Sequence, residues 1–194
     1  MRTIASFILF LTLLSCGEKV AATKKNQLVS AARTQIGVTN TYDPSYLALK
    51  YPGGDVPKDR GVCTDVIVRA LRDMDFDLQQ LVHEDMKANF SKYPRIWGLK
   101  QPDKNIDHRR VPNLRAFFKR RGIALKVTKK KEHYHPGDFV TCTVAGNRPH
   151  IMLVSEQKNS EGVPYVIHNI GGGTSEDDDL FTYPITGHYR WFKG

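Results

Sequence analysis

The chain has 194 residues, a formal net charge of +9 and a sequence pI of about 9.5. This length suggests one domain with a hydrophobic core large enough to make disulfide staples unnecessary. With 40% apolar and 25% charged residues, the composition is ordinary for a globular protein. The positive charge favours an anionic partner, such as nucleic acid, anionic lipid or an acidic wall polymer, without choosing among them.

The first residues have the pattern of an export signal. Arg2 precedes the apolar run Ile4–Leu14, which has the length of a signal-peptide h-region and is too short to span a bilayer. The sequence LLSC at residues 13–16 resembles a bacterial lipobox, which would make Cys16 a lipidated first residue, whereas VAA at residues 20–22 fits ordinary cleavage. We therefore expect a signal peptide at 1–22 and a single exported domain at 23–194, periplasmic or membrane-anchored through Cys16.

Helical spacing of apolar residues predicts four helices in the first part of the exported domain. They are expected at Lys24–Ile36, Val62–Met74, Leu78–Phe90 and Val111–Arg121. The segment Thr39–Arg60 between the first two is rich in Asn, Asp, Pro and Gly, which predicts a loop.

After Gly122 the pattern becomes strand-like. Short runs rich in β-branched and aromatic residues predict strands at Ile123–Thr128, Asp138–Val144, His150–Ser155, Tyr165–Ile170 and Gly187–Phe192. The stretch Gly171–Asp179 is expected to be a turn with a mobile acidic end. Helices followed by strands indicate an α+β fold, with N-terminal helices packed on a C-terminal antiparallel sheet of about five strands.

The stretch GVCTDVIVRAL at residues 61–71 places Cys63 where the second helix begins. The free N–H groups and partial positive charge of a helix N-terminus favour a thiolate, as a nucleophile requires. Asp65, in the first turn, works against that charge. The structural alternative is a buried thiol or a disulfide with Cys142, which an oxidising compartment permits. Cys142 itself, in the middle of a predicted strand, is expected to be a buried apolar residue.

A nucleophile needs a base, and two histidines on successive predicted strands are candidates. His150 opens one strand and His168 lies in the next, where antiparallel neighbours can bring both rings to one face. His168 would then orient the ring of His150. Asn169 could do the same, but adjacent strand residues point to opposite faces, so only one of the two qualifies.

The order of a GVCTD helix, a PGDFV strand, a PHIMLV strand and a VIHN strand resembles the NlpC/p60 group of papain-like cysteine peptidases. The whole exported domain more closely resembles the bacterial family known as domain of unknown function 1287. The segments that carry this resemblance are YDP (42–44), GVCTD (61–65), NIDHRRVPNL (105–114), YHPGD (134–138), PHI (149–151), IHNIG (167–171) and ITGHYR (185–190). The chain departs from the NlpC/p60 pattern at Thr64-Asp65, where Ser-Gly is usual, and at Pro149, where Gly is usual.

The NlpC/p60 resemblance implies a papain-like fold in which Cys63 is the nucleophile, His150 the base and His168 the orienting residue. Tyr42 would sit beside the site, where its hydroxyl could bind the oxyanion together with the N–H of Cys63. The implied activity is that of an exported thiol hydrolase, an amidase or peptidase that acts on peptidoglycan peptides and needs no cofactor. The alternatives are a non-catalytic envelope or wall-binding protein on the same fold, and an acyl-transfer or thioester enzyme.

The charged segment Asp107–Arg109 has two interpretations, and the other polar segments indicate no further partner. Asp107, His108 and Arg109 could bind an acidic peptide or could brace a loop against a helix through ion pairs. The histidines show no metal-ligand spacing, so no metal site is expected. The basic runs Lys119–Arg121 and Lys129–Lys131 lack aromatic stacking residues, so no nucleic-acid partner is expected. The sequence indicates no oligomeric state.

Overall fold

The structure is a computed structural model that describes residues 23–193. The predicted signal peptide and the lipidation site Cys16 lie outside these residues. Helix α1 covers residues 23–33, followed by α2 (Cys63–Arg72), α3 (Leu78–Asn89) and α4 (Val111–Arg120). All four predicted helices are confirmed, each a little shorter than expected. Among the described residues, no helix combines the length and apolar character that a membrane crossing requires.

A six-stranded antiparallel sheet follows, in the spatial order β3-β8-β4-β5-β6-β7. Its strands are β3 (Ala124–Leu125), β4 (Asp138–Val144), β5 (Arg148–Lys158), β6 (Pro164–Asn169), β7 (Thr174–Asp177) and β8 (Ile185–Arg190). Two further short strands, β1 (Thr41–Tyr42) and β2 (Arg60–Gly61), pair in parallel inside the segment predicted as a loop. The α+β class with helices before an antiparallel sheet is therefore confirmed.

The prediction of a turn throughout Gly171–Asp179 is wrong, because β7 occupies part of it and adds a sixth strand. Thr174 through Asp177 pair with β6. Glu176 is held by Arg33 of α1, whose Nε and Nη2 each donate to the carboxylate at 2.8 Å. β7 is therefore held in place by polar contacts with residues far away in the sequence. It lacks the alternation of apolar and polar residues from which strands are predicted.

The two faces of the sheet bury two separate clusters. Ile151, Leu153 and Ile167 pack with the helices, including α2. The alternate residues Met152, Val154 and Val166 pack on the opposite face, together with Cys142. Cys142 is 1% exposed and is free, as is Cys63, so the disulfide alternative is not formed and the prediction of a buried apolar Cys142 is confirmed.

Candidate active site

The start of α2 is fixed by two features of the chain around it. β1 pairs in parallel with β2, so Tyr42 lies opposite Gly61, two residues before Cys63. The backbone N–H of Val62 donates to the Asp65 carboxylate at 2.7 Å, which holds the extended residue before the helix. Cys63 is the first helical residue, where backbone N–H groups have no partner within the helix.

Asp65 is neutralised by a buried bidentate ion pair. Nε and Nη2 of Arg109 donate to its two carboxylate oxygens at 2.9 and 3.0 Å. The same guanidinium donates to the carbonyls of Asp43 and Ser45, both at 3.1 Å. Arg109 therefore ties the segment after β1 to the first turn of α2, and it supplies the positive charge that pairs with Asp65, whereas the nearby Arg60 and Arg69 pair with other carboxylates.

The two candidate histidines meet as the strand pattern predicts. Nε2 of His150 on β5 lies 2.8 Å from Nδ1 of His168 on β6. The other ring nitrogen of His168, Nε2, lies 3.3 Å from Oδ2 of Asp177 and 3.7 Å from Oδ2 of Asp179. Asn169 faces the other side of the sheet, where its Nδ2 donates to the carbonyl of Gly61 at 3.1 Å. Of the two alternatives, His168 is the residue that contacts His150.

The sulfur of Cys63 lies close to the start of β5. The backbone N–H of Ile151, the residue after His150, interacts with the Cys63 sulfur and favours its thiolate. A charge on Cys63 also raises the pKa of Cys142, which pairs with His150 across the β4–β5 ladder. The start of α2 thus brings the thiol to the backbone at the start of β5, next to His150, while the alternation of β5 places the His150 side chain on the sheet face of Cys142 and Met152.

Burial keeps both candidate catalytic groups neutral at rest. It raises the pKa of the Cys63 thiol to about 12, and the charge of Asp65 adds to that effect. Burial likewise lowers the pKa of His150 to about 3, with a further contribution from His168. The helix N-terminus, which on sequence grounds favours a thiolate, is therefore outweighed by desolvation.

A groove of about 490 Å³ opens beside Cys63. Its lining combines aromatic and cationic side chains with aliphatic ones such as Val62, Ile96 and Val111, and includes Tyr42, Tyr46, Cys63, Trp97, Arg109, Arg110 and Pro149. Arg110 lies over the ring of Trp97, with 4.2 Å between the guanidinium carbon and the ring centroid. Tyr42 is 39% exposed, and burial followed by the charge of Cys63 raises its pKa. Among the described residues no carboxylate lines this groove, so it suits a neutral or anionic ligand.

Asp107 and His108 do not reach the groove. Both side chains are buried, and Asp107 accepts hydrogen bonds from the backbone N–H of Asp103 at 2.5 Å and from Asn113 at 3.2 Å. Burial lowers the pKa of His108 to about 3. These contacts fit the brace reading for Asp107 and His108, whereas Arg109 both braces Asp65 and lines the groove.

The site also contains groups that the sequence reasoning did not single out. Asp177 stands next to His168 because β7 pairs with β6, and Trp97 stacks under Arg110 from a segment without regular structure. Neither has a local signal in the sequence. Among the described residues, no cluster of three or more His, Cys, Asp or Glu side chains could hold a metal ion.

The family described as Domain of unknown function (DUF1287) matches residues 29–191. The chain belongs to the DUF1287 family. A relative from Escherichia coli (strain K12), described as "Uncharacterized protein YijF", is 49% identical over 174 residues, which cover 90% of this chain and 85% of the relative.

Two solved structures are similar to this DUF1287 chain, NlpC1 and NlpC2 from Trichomonas vaginalis. NlpC1 gives a TM-score of 0.45 at 12% identity over 88% of this chain. NlpC2 gives 0.43 at 13% identity over 87% of this chain. The chain spans 45% and 48% of the two solved chains, just under half of each.

Proposed function

We propose that this DUF1287 chain is an exported cysteine hydrolase, an amidase or peptidase that acts on cell-wall peptides. The observation that carries the proposal is the 2.8 Å contact between His150 and His168, together with the interaction of the Cys63 sulfur with the N–H of Ile151, the residue after His150. The groove next to Cys63, with two arginines and three aromatic side chains, offers room for a peptide that carries a carboxylate. The signal-peptide pattern of residues 1–22 supports export.

In the proposed reaction, His150 takes the thiol proton while the sulfur of Cys63 attacks the carbonyl carbon of the scissile amide. The oxyanion that forms is stabilised by the N–H of Cys63 and by the hydroxyl of Tyr42. The C–N bond breaks as His150 returns the proton to the leaving amine, which leaves a thioester on Cys63. Water, deprotonated by His150, then attacks the thioester; the acid leaves and the thiol is restored.

A neutral Cys63 thiol and a neutral His150 imidazole in the resting protein are compatible with this route, because the proton moves from sulfur to imidazole as the sulfur attacks. A thiolate formed beforehand would be buried beside Asp65, and its formation costs more the less water reaches it. The proposal therefore needs a substrate that fills the groove and aligns the carbonyl with Cys63 before the proton transfer.

The decisive experiment compares Cys63→Ala with Cys142→Ala as a matched control, since both remove a buried free thiol. Isolated peptidoglycan is incubated with each protein, and released peptides are quantified. We expect Cys63→Ala to abolish release and Cys142→Ala to retain it. Equal release by the two variants would overturn the proposal.

A second candidate function is non-catalytic binding of wall material in the same groove. It is favoured by the burial of the reactive groups, since Cys63 is 4% and His150 3% exposed. Under this alternative, a thiol probe labels Cys63 no faster than a free cysteine, and Cys63→Ala binds peptidoglycan as the parent chain does. Faster labelling of Cys63 that His150→Ala removes would exclude it.

A further inference from the structure

A second groove, far from Cys63 in the sequence, is lined by basic side chains and will be called the basic groove. One wall is Lys92–Pro94, which follows α3, and the other is one face of α4, namely Pro112, Arg115, Ala116, Lys119 and Arg120. The spacing of these α4 residues is that of one helical face, and the opposite face buries Leu114, Phe117 and Phe118. The volume of the basic groove is about 510 Å³, which is within the range of small-ligand sites.

Most of the positive charge in the basic groove has no carboxylate partner. Arg120 is the exception, because its Nε and Nη2 donate to Asp85 at 2.6 and 3.0 Å. The hydroxyl of Tyr93 donates to the same carboxylate at 2.5 Å, so Asp85 is already fully engaged. Within residues 23–193, Lys92 and Lys119 form no ion pair, and Arg115 donates only to the carbonyl of Thr186.

Arg115 uses only part of its hydrogen-bonding capacity within the described residues. Its Nη2 is 2.9 Å from the carbonyl oxygen of Thr186, while its Nε is buried without a hydrogen-bond partner among the described residues. A buried N–H of a charged group without an acceptor is costly, and it is normally satisfied by a protein group, a water or a ligand.

Helix electrostatics explain only part of this arrangement. Lys119 and Arg120 lie in the last turn of α4, where cations are favoured by the helix dipole. Arg115 lies in the middle of α4, so the helix dipole does not account for it, whereas Lys92, on the opposite wall, ends the short 3-10 helix after α3. Arg121, the last residue of the same basic run, turns away and lies over Trp191 at 5.2 Å. The run is therefore divided between the basic groove and an aromatic contact.

We propose that the basic groove binds the phosphate group of a small anionic ligand. Three cations without carboxylate partners on two facing walls suit an oxyanion with more than one negative charge, and guanidinium and ammonium groups are the donors that proteins use for phosphate. The phosphate can belong to a soluble compound or to a lipid headgroup, since both present the same oxygens. This site adjoins the groove at Cys63, since Pro112 lines both, and it does not depend on the proposed hydrolase activity.

The test measures binding of two probes to the full chain. Isothermal titration uses inorganic pyrophosphate, and co-sedimentation uses vesicles of equal parts phosphatidylcholine and phosphatidylglycerol, with pure phosphatidylcholine vesicles as the blank. The variant Lys92→Gln/Lys119→Gln removes two exposed cations from the basic groove. The control Lys129→Gln/Lys130→Gln removes the same charge elsewhere on the surface, and the N-terminal segment is unchanged in all three proteins.

We expect the basic-groove variant to weaken binding of at least one probe by roughly tenfold or more and the control to change it by less than about twofold. Pyrophosphate binding alone assigns a soluble phosphate compound, and vesicle binding assigns a headgroup. Equal loss in the two variants would mean that net charge alone attracts the probes and would overturn the site. Absence of binding to both probes, or tighter binding of a single-stranded oligonucleotide, would overturn it as well.

Discussion

Nε2 of His150 and Nδ1 of His168 share one hydrogen bond of 2.8 Å between two buried imidazoles. The carboxylates of Asp177 and Asp179 face the far nitrogen of His168 and favour a proton there. Nδ1 of His168 is then the acceptor, so His150 must donate from Nε2. This leaves the lone pair of His150 on Nδ1, which is the form that can accept a thiol proton. The two carboxylates thus select the tautomer of a residue that they do not touch.

The first prediction concerns the effect of the Asp177 and Asp179 carboxylates on the protonation of His168. Burial lowers the pKa of His168 and the charges of Asp177 and Asp179 partly offset that effect, so Asp177→Asn/Asp179→Asn should lower this pKa further. Imidazole titration by NMR measures the change directly, and it can succeed even if the chain is not a hydrolase. If hydrolysis occurs, kcat should fall with little change in KM. Asp178→Asn is the control, since Asp178 bonds instead to Asn159; an equal pKa change in this control would contradict the assignment.

The second prediction separates His168 from Asn169. His168→Ala should lower kcat by roughly a hundredfold, because it removes the group that orients the base. Asn169→Ala should instead lower the free energy of unfolding by about 1–3 kcal/mol, since it removes two hydrogen bonds of a buried amide, one donated to the carbonyl of Gly61 and one accepted from the N–H of Gly171. Peptide release and urea denaturation are measured on both variants. The reverse pattern would show that Asn169 is the orienting residue.

The third prediction concerns the buried pair of Asp65 and Arg109. Asp65→Ala leaves the guanidinium buried without its partner and should cost about 3–5 kcal/mol of unfolding free energy. The double variant Asp65→Leu/Arg109→Met removes both charges and should recover most of that loss. Arg60→Gln, which breaks the partly exposed pairs with Asp43 and Asp59, should cost no more than about 1 kcal/mol. Thermal and urea unfolding of the three proteins check the order.

The fourth prediction is a pH dependence of stability. Burial lowers the pKa of His108 from 6.5 to about 3, so below pH 6.5 the unfolded chain takes up a proton that the folded chain refuses. Stability is therefore complete above pH 6.5 and is lost as the pH falls toward 3. At pH 5 the loss from His108 should be about 2 kcal/mol.

His108→Leu should remove that part of the difference between pH 7 and pH 5 in urea unfolding. The exposed His133 provides the control for the loss of an imidazole, and the slopes of His133→Leu and His108→Leu are compared with that of the parent chain. An identical slope in the His108 variant and the parent chain would show that His108 is protonated in the folded state.

The helices could be predicted because their signal is local. Val66, Ile67, Ala70 and Leu71 repeat at helical spacing, and all four are buried in the structure. β7 could not be predicted in this way, because it contains no apolar alternation and is held by Arg33, 143 residues earlier in the chain. Ion pairs between such distant residues leave no trace in a short window of sequence.

The same distinction between local and long-range signals applies to the residues of the candidate site. His150 and His168 could be paired from their positions on successive strands, since antiparallel geometry brings such positions together. The burial of Cys63 and the bidentate grip of Arg109 on Asp65 could not be predicted, because they depend on how the segment before α4 packs on α2. The sequence identifies the reactive groups, and the packing determines how much water reaches them.

The alternation of β5 makes the chain sensitive to length at one point. His150 shares a face with Met152, while Ile151 and Leu153 fill the core under α2. One residue inserted into the turn at Ala145–Asn147 would shift the register of β5 by one residue, so that each of its side chains would point to the opposite face of the sheet. The imidazole of His150 would then lie among aliphatic side chains, and Ile151 would face His168. We expect the chain to tolerate insertions in the turn at 159–162 but not in the turn at Ala145–Asn147. The number of residues before β5 is therefore constrained, as well as their type.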